Sequence, residues 1–163
     1  MYEVCCLDVG CGNKKLTNSI GVDFRKTEAV DVIADVRKLP FRDRSIDRVY
    51  SRYVIEHFSW RKVGEVLAEW SRVLKVGGVM ELICPDLRTR CLLFFIKPSM
   101  LNLRGIYGGQ DYEGNVHMCG FDYKMLRFLL SLCGLRVVKR MRNGLKWKGI
   151  LPLDIHVVAI KER

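Results

Sequence analysis

Short apolar runs alternate with longer amphipathic segments along the chain. The runs at residues 4–9, 20–24, 31–34 and 46–51 each stop at or beside polar residues, and a fifth run is "VMELICP" at residues 79–85. Short apolar runs bounded by polar and turn residues are typical of buried strands. Strands that all end at polar residues predict a sheet with one ligand-binding edge.

The longer segments have the spacing of helices. Residues 59–75 place apolar side chains on one helix face, with Ser59 positioned to cap the start and Gly77 to close the end. Two further helices are predicted, one capped by Asp86 and running to residue 95, the other capped by Asp122 and stopped by Gly134.

The order of these elements predicts an α/β fold. Strands alternate with helices up to residue 134, and the chain closes with strands at 135–141 and 155–161 joined by a basic loop. This order is typical of a mostly parallel sheet with helices on both faces and an antiparallel C-terminal hairpin. Residues 13–19 have room for only a loop or one helical turn, so we expect a shortened, irregular first crossover.

Residues 97–120 lose the periodicity and contain "IYGGQDYEGNVH". A long irregular segment inside a compact domain usually has a function, and we expect a substrate lid here. The segment shows no change of composition typical of an interdomain linker. We therefore predict one domain spanning residues 1–163.

Composition narrows the class of protein. The chain has 163 residues, of which 49% are hydrophobic, enough for one core, and no apolar stretch approaches the roughly 20 residues of a membrane span. Its seven cysteines are an odd number and lie mostly in apolar settings without a Cys-x-x-Cys pair. Neither a disulfide framework nor a metal site is predicted, and reduced thiols favour a cytoplasmic location.

The formal net charge of +10 favours polyanionic partners. Much of the excess lies in "RVVKRMRNGLKWK" at residues 136–148. Such a segment is either a nucleic-acid patch or the solvated face of an edge hairpin whose cations block strand addition.

Candidate chemistry concentrates where the first strands end. Gly10 and Gly12 leave the backbone bare enough for close approach of a ligand. Lys15 stands where a dinucleotide-binding fingerprint needs its third glycine, and the phosphate-loop Gly-Lys-Ser/Thr is absent. Asp8, Asp23 and Asp35 either cap turns individually or together favour a cationic ligand that carries ribose hydroxyls and an adenine.

Five stretches of the sequence resemble the motifs of a known family. "LDVGCGNKKL", "GVDF", "VIADVRKLPFRDRSIDRVYSRYVIEHF", "EWSRVLKVGGVMELICPDL" and "IYGGQ" are similar, in this order, to the motifs of class I S-adenosylmethionine-dependent methyltransferases, in particular a small methyltransferase-domain group. The resemblance implies a Rossmann-like sheet of seven strands with the last one antiparallel. It also implies S-adenosylmethionine as the cofactor.

The resemblance assigns a role to each cofactor residue. Gly10, Cys11 and Gly12 would meet the methionine portion of the cofactor above Asp8. Asp23 would hold the ribose and Phe24 the adenine face, while Asp35 and the Val36 backbone would read the adenine edge. Ser51 and Arg52 would face the methionine or methyl side.

Residues near the predicted lid and strand ends are the candidates on the acceptor side. His57 and His117 either act as general bases, because imidazole titrates near neutrality, or orient their loops by hydrogen bonding. The predicted lining of the acceptor pocket is Tyr53, Asp86, Tyr107 and Gln110.

Three functions are compatible with these residues. The first is methyl transfer to a small-molecule or sugar-derived acceptor. The second is a nucleic-acid methyltransferase that uses the basic C-terminal segment, although "SRYV" stands where an Asn/Asp-Pro-Pro-Tyr/Phe motif would be expected. The third is a cofactor-binding protein without catalysis.

Overall fold

A computed structural model of the chain describes residues 5–141, 146–147 and 151–163. Seven strands form one sheet in the order β3-β2-β1-β4-β5-β9-β6, and β7 and β8 form a separate pair. The strands are β1 (Cys6–Val9), β2 (Ile20–Asp23), β3 (Val32–Ile33), β4 (Ile46–Arg52), β5 (Leu74–Pro85), β6 (Leu135–Met141), β7 (Lys146–Trp147), β8 (Leu151–Pro152) and β9 (Asp154–Lys161).

The first five strands are parallel, whereas β9 runs antiparallel to both β5 and β6. The predicted mostly parallel sheet with an antiparallel C-terminal hairpin is confirmed. The carboxyl ends of β1, β2 and β4 therefore meet at one edge, beside the point where the strand order reverses, and this is where open α/β sheets bind ligands.

Four α-helices and one 3₁₀ turn complete the described part of the chain. They are the turn at Ile55–His57, α1 (Val63–Val73), α2 (Leu87–Ile96), α3 (Met100–Tyr107) and α4 (Tyr123–Leu132). None of the helices in the described ranges has both the length and the apolarity to cross a membrane.

The predicted capping aspartates are confirmed, and so is the irregular first crossover. The Asp86 side chain accepts a hydrogen bond from Thr89 N at the start of α2, and the Asp122 side chain accepts one from Met125 N at the start of α4. Between β1 and β2 the chain forms only turns.

The predicted bounds of α1 are wrong at both ends. The helix begins after Lys62 without a side-chain cap, because the backbone oxygen of Ser59, and not its hydroxyl, receives the amides of Lys62 and Val63. At the other end Leu74 is already extended and pairs with Ile46, so Gly77 lies inside β5. Pairing with β4 overrides the expected glycine stop.

The predicted irregular segment at 97–120 contains a helix. Ser99 accepts a hydrogen bond from Asn102 N and caps α3, which ends at Tyr107. A capping serine before "MLNL" is the sequence signal that indicates this helix. Residues 108–120 remain irregular and continue to the isolated bridge between Asp86 and Phe121.

A buried core side chain holds one segment of the carboxyl edge of the sheet in place. Trp70 of α1 is fully buried, and its ring Nε1 donates to the Val36 backbone oxygen at 2.9 Å. This bond holds the segment that follows β3 against α1. The positions of residues 35–37 at the sheet edge thus depend on a buried tryptophan far away in the sequence.

Candidate functional site

The carboxyl edge of the sheet opens onto a groove with a volume of about 380 Å³. Loops from four strands and from the segment after α3 contribute to it. Its lining residues are Gly10, Asp23, Phe24, Arg25, Asp35, Val36, Arg37, Tyr53, Val54, His57, Phe58, Tyr112 and Gly114.

A smaller cavity of about 180 Å³ lies beside the groove. Gly10 lines both cavities, so the glycine loop forms their common wall. The lining of the smaller cavity is Asp8, Gly10, Cys11, Lys14, Lys15, Leu16, Thr17, Tyr50 and Arg52.

The glycine loop is held in place by β2. Gly10 N and Cys11 N both donate to the Val22 backbone oxygen, at 2.7 and 3.2 Å, and Gly12 N donates to Asp23 Oδ2 at 2.9 Å. These three amides are therefore used within the fold. The loop is preformed, and it is not an anion cradle of free backbone N–H groups.

Gly10 has no room for a side chain because Val54 packs against it, a contact that the sequence did not indicate. Its φ is +71°, and a Cβ built on it would lie 2.4 Å from Val54 Cγ2. The Val54 side chain, not a ligand, occupies the space. Packing against Val54 therefore explains the glycine at position 10, whereas at Gly12 the nearest atom to an added Cβ is Arg25 Nη2 at 3.4 Å. The predicted contact of both glycines with a ligand stays a prediction.

Asp23 is the buried acid of the groove. It is only 3% exposed, and it accepts hydrogen bonds from Gly12 N at Oδ2 and from Arg25 N at Oδ1, each at 2.9 Å. Arg25 Nε adds a longer bond to Oδ1 at 3.4 Å. A carboxylate offers about four lone-pair directions, so Oδ2 keeps acceptor capacity for a hydroxyl donor. Asp23 ends β2, as predicted.

An arginine that no sequence pattern indicated lies between two aromatic rings. The Arg25 guanidinium carbon is 5.7 Å from the Phe24 ring centroid and 4.7 Å from that of Tyr112. Tyr112 belongs to the predicted lid, so this cation–π contact draws part of that segment over the groove. Phe24 is 65% exposed, which leaves ring surface available to a planar group.

Asp35 and Val36 both line the groove, as predicted. Two hydrogen bonds from the Arg37 guanidinium hold the Asp35 carboxylate, and this neighbour lowers the pKa of Asp35 below its ordinary value. Arg25 and Arg37 therefore offset much of the negative charge that the sequence suggested for this edge. The groove is close to neutral.

Asp8 and Arg52 both line the smaller cavity. Asp8 is 4% exposed and accepts a hydrogen bond from Leu16 N at 2.6 Å, while burial raises the pKa of its carboxyl. Arg52 is exposed. The lining thus contains one acid together with basic side chains, which include Lys14 and Lys15.

Two small residues predicted for the cofactor lie deeper than expected. Ser51 is 1% exposed, and its Oγ has no hydrogen-bond partner within the described part of the chain. The Cys11 thiol points to the Ala29 backbone oxygen at 3.8 Å, and burial raises its pKa to about 11. Neither side chain presents a reactive group to the groove.

The acceptor side is built around the left-handed turn at Tyr53, whose φ is +57°. Its hydroxyl donates to Asp154 Oδ2 at 2.9 Å, and Asp154 Oδ1 receives Arg90 Nη2 at 2.9 Å. Burial, followed by the Asp154 carboxylate, raises the pKa of Tyr53. Tyr53 is thus a neutral donor that ties β4 to β9 and α2.

Replacing Tyr53 with phenylalanine is expected to lower the free energy of unfolding by about 1–2 kcal/mol, because one oxygen of the buried Asp154 carboxylate loses its donor. Urea denaturation measures this change. Tyr107→Phe is the matched control, since Tyr107 is 54% exposed, and it should change stability by less than about 0.5 kcal/mol. An equal effect of the two substitutions would contradict the assigned tie.

The structure brings the two predicted histidines together. Their ring centroids are 5.1 Å apart in an edge-on arrangement, and His57 lines the groove. His57 Nδ1 lies 3.0 Å from the Val116 backbone oxygen, and His117 Nδ1 lies 3.2 Å from that of Ile106. Burial, followed by the neighbouring His57, lowers the pKa of His117.

The other predicted acceptor residues lie outside the groove. Asp86 is used as the cap of α2. Tyr107 ends α3, where its backbone oxygen receives His117 N at 3.0 Å, and Gln110 N donates to the Asn115 backbone oxygen at 2.9 Å. Of the predicted lining, only Tyr53 reaches the cavity.

Part of the sequence is similar to known proteins. A family model described as "Methyltransferase domain" matches residues 7–82. An uncharacterized protein of Escherichia coli, YafE, is 46% identical over 50 residues, which are 29% of this chain and 23% of that protein. The matched segment thus spans less than a quarter of this curated relative.

Solved structures extend the similarity to nearly the whole chain. A SAM-dependent methyltransferase from Methanosarcina mazei has a TM-score of 0.69 at 20% identity, covering 99% of this chain and 94% of its own. A 1,6-didemethyltoxoflavin-N1-methyltransferase from Burkholderia thailandensis, solved with S-adenosylhomocysteine, has a TM-score of 0.67 at 13% identity, covering 98% and 71%. At these identities the likeness concerns the fold.

A third similar structure contains an activator subunit. It is the complex between the Haloferax volcanii Trm112 methyltransferase activator and a methyltransferase, with a TM-score of 0.64, 14% identity and coverage of 99% of this chain and 83% of that one. Here too the likeness concerns the fold.

Proposed function

We propose that this chain is a class I S-adenosylmethionine-dependent methyltransferase, whose groove holds the adenosine of that cofactor while a small-molecule or sugar-derived acceptor is methylated beside it. One observation carries the proposal. The buried carboxylate of Asp23, the exposed ring of Phe24 and the edge of Val36 line a single cavity at the strand ends.

The residues of the groove fit the nucleoside. Asp23 Oδ2 has acceptor capacity left for a ribose hydroxyl, and the second hydroxyl would replace the long contact from Arg25 Nε at Oδ1. Phe24 offers a flat apolar surface to the adenine. Both oxygens of Asp35 already accept from Arg37, so the adenine amino group would have to replace one of these bonds. The cavity of about 380 Å³ is in the size range of ligand pockets.

The smaller cavity fits the amino-acid end of the cofactor. Asp8 would bind the ammonium and Arg52 the carboxylate, and the cofactor would cross from one cavity to the other beside Gly10, which lines both. The Gly12 amide is already used by Asp23, so side chains rather than free backbone amides would hold the cofactor here.

Methyl transfer requires alignment more than activation by the protein. When bound, the cofactor supplies a methyl group on a sulfonium, which is already electrophilic. The chain holds the nucleoside through Asp23, excludes water where Tyr112 covers the groove, and fixes the acceptor side through the Tyr53–Asp154 bond. His57 would orient this side of the groove through its Nδ1, which lies 3.0 Å from the Val116 backbone oxygen.

The small-molecule acceptor is favoured over nucleic acid by the contacts of the basic C-terminal segment. Arg136 Nε pairs with Glu162 at 2.5 Å, and the Arg140 guanidinium carbon lies 4.3 Å from the Tyr123 ring centroid. Both cations are thus engaged within the fold. The rest of the segment includes residues 142–145 and 148–150, which lie outside the described part of the chain.

Binding of single-stranded RNA is expected to be weak and to disappear when salt is raised, with no methyl incorporated. Fluorescence anisotropy with labelled RNA at two salt concentrations measures the affinity, and the variant Lys139→Gln should reduce the salt dependence by about one charge. Tight binding together with RNA methylation would overturn the small-molecule assignment and favour the nucleic-acid alternative.

A methyl-transfer assay tests the proposed activity. Labelled S-adenosylmethionine is incubated with the chain and a panel of hydroxylated and amine-bearing small molecules, and labelled product is measured together with S-adenosylhomocysteine release. The proposal predicts turnover on at least one panel class and none on RNA. Cofactor binding without turnover on any class would favour the non-catalytic alternative. The single-domain organisation and the cytoplasmic location stay predictions.

A further inference from the structure

We propose that Glu56, His57 and His117 form a binding site for a divalent metal ion of the zinc type at the acceptor side of the groove. One ligand atom of each residue lies within 4.8 Å of the others. No sequence pattern indicates such a site, because the two histidines are far apart along the chain and no closely spaced ligand pair accompanies them.

The backbone clamps the two halves of the site together. Glu56 and His57 belong to the 3₁₀ turn after β4, while His117 comes from the irregular segment after α3. The Glu56 backbone oxygen accepts hydrogen bonds from Met118 N at 2.8 Å and Cys119 N at 3.1 Å. The two residues that follow His117 are therefore hydrogen-bonded to the Glu56 backbone, and these bonds hold His117 beside Glu56 and His57.

The carboxyl group of Glu56 lacks a hydrogen-bond partner among the described residues. The residue is 1% exposed, and neither carboxylate oxygen has a hydrogen-bond partner there. Buried carboxylate oxygens are nearly always hydrogen-bonded, paired with a cation or bound to a metal. A cation between Glu56 and the two rings would satisfy this group.

The two imidazoles are oriented as metal ligands are. Each Nδ1 lies beside a backbone carbonyl oxygen, that of Val116 for His57 and that of Ile106 for His117. A carbonyl can only accept a hydrogen bond, so each Nδ1 carries the proton and each Nε2 is left as a lone-pair donor. Metal-binding histidines usually make this same bond from the ring nitrogen that does not bind the metal.

The donor set selects the class of ion. Two imidazoles and one carboxylate suit Zn²⁺ and neighbouring transition metals, whereas Mg²⁺ and Ca²⁺ prefer oxygen ligands. Ligand atoms around a tetrahedral zinc lie about 3.4 Å apart, so three ligand atoms within 4.8 Å of one another can close on one ion by small side-chain rotations. Three protein ligands leave one position open.

The open coordination position of the metal ion would be where the acceptor binds. His57 lines the groove, so a hydroxyl of the acceptor can reach a metal bound beside it. A divalent ion lowers the pKa of a bound hydroxyl, which would release its proton to solvent water. The oxygen would then form the bond to the methyl carbon as the sulfur–methyl bond breaks, and S-adenosylhomocysteine would be the leaving group. This role rests on the proposed function, whereas metal binding itself does not.

Spectroscopic titration with Co²⁺ tests the site. The purified full chain is stripped with a chelator and titrated with Co²⁺ in the absence of S-adenosylmethionine, and Zn²⁺ is then added as a competitor. We expect one equivalent of Co²⁺ with visible bands of a four- or five-coordinate ion, without thiolate charge-transfer bands, and displacement by Zn²⁺. Thiolate bands or the absence of stoichiometric binding would overturn the proposal.

Matched variants identify the ligands. Glu56→Gln and His117→Gln should each weaken Co²⁺ binding by about 100-fold or more, while Glu113→Gln, an exposed glutamate of the neighbouring loop, should leave it unchanged. Unchanged affinity in the first two variants would refute the site. S-adenosylhomocysteine titration of the metal-free variants confirms that they are folded, and it separates failure of the metal site from failure of the proposed function.

Discussion

Replacing Asp23 with asparagine is expected to weaken the binding of S-adenosylhomocysteine by about 100-fold. Hydrogen bonds to charged groups contribute about 1.5–3 kcal/mol each, and 1.4 kcal/mol corresponds to a factor of ten in affinity. Asparagine keeps the size of the side chain and one acceptor for Gly12 N, but it loses the charge and one acceptor for the ribose hydroxyls. Isothermal titration calorimetry measures the ratio of dissociation constants.

Asp47→Asn is the matched control for this experiment. Asp47 lies near the amino end of β4, at the opposite edge of the sheet, where it accepts hydrogen bonds from Cys5 N and Lys75 Nζ. Its substitution should leave the affinity for S-adenosylhomocysteine unchanged. Equal affinities in the wild type and in Asp23→Asn would refute the assignment of Asp23 to the ribose.

Replacing Gly10 with alanine is expected to lower the free energy of unfolding by about 3 kcal/mol. The new Cβ would lie 2.4 Å from Val54 Cγ2, and the φ of +71° is unfavourable for any residue with a side chain. Overpacking of a core costs about 1–3 kcal/mol, and a left-handed backbone adds about 1 kcal/mol. Urea denaturation of the full chain measures the change.

A double-mutant cycle tests the physical reason for this loss. In the Val54→Ala background the two Cγ contacts are removed and only the 3.2 Å contact with Cβ remains. Gly10→Ala should therefore cost at least about 1 kcal/mol less than it does in the wild type. Gly64→Ala is the control, because a Cβ added at this position of α1 would meet nothing within 4 Å. It should leave stability unchanged or raise it by up to about 1 kcal/mol. Additive effects of Gly10→Ala and Val54→Ala would contradict the packing explanation.

The sequence predicts the sheet edge well because local pattern determines it. Apolar runs that stop at Asp23 or shortly before Asp35 identify strand ends, and parallel strands bring such ends to one edge. Capping by Asp86 and Asp122 is equally local, since each side chain bonds an amide three residues further on. These features need no knowledge of distant contacts.

The remaining features depend on contacts between distant segments. Val54 fills the space beside Gly10, Arg25 joins Tyr112, and the carboxylate of Glu56 meets His117. No periodicity indicates such pairs, because each is set by how two loops pack on the finished sheet. The same holds for the start of β5 at Leu74, where strand pairing overrides the helix-ending glycine.

A crystal structure of the chain with S-adenosylhomocysteine would show directly whether the groove is the nucleoside site. We expect the ribose hydroxyls on the Asp23 carboxylate, the adenine beside Phe24 and Val36, and the amino-acid end past Gly10 toward Asp8. A nucleoside bound elsewhere, or an empty groove at saturating ligand, would contradict this assignment.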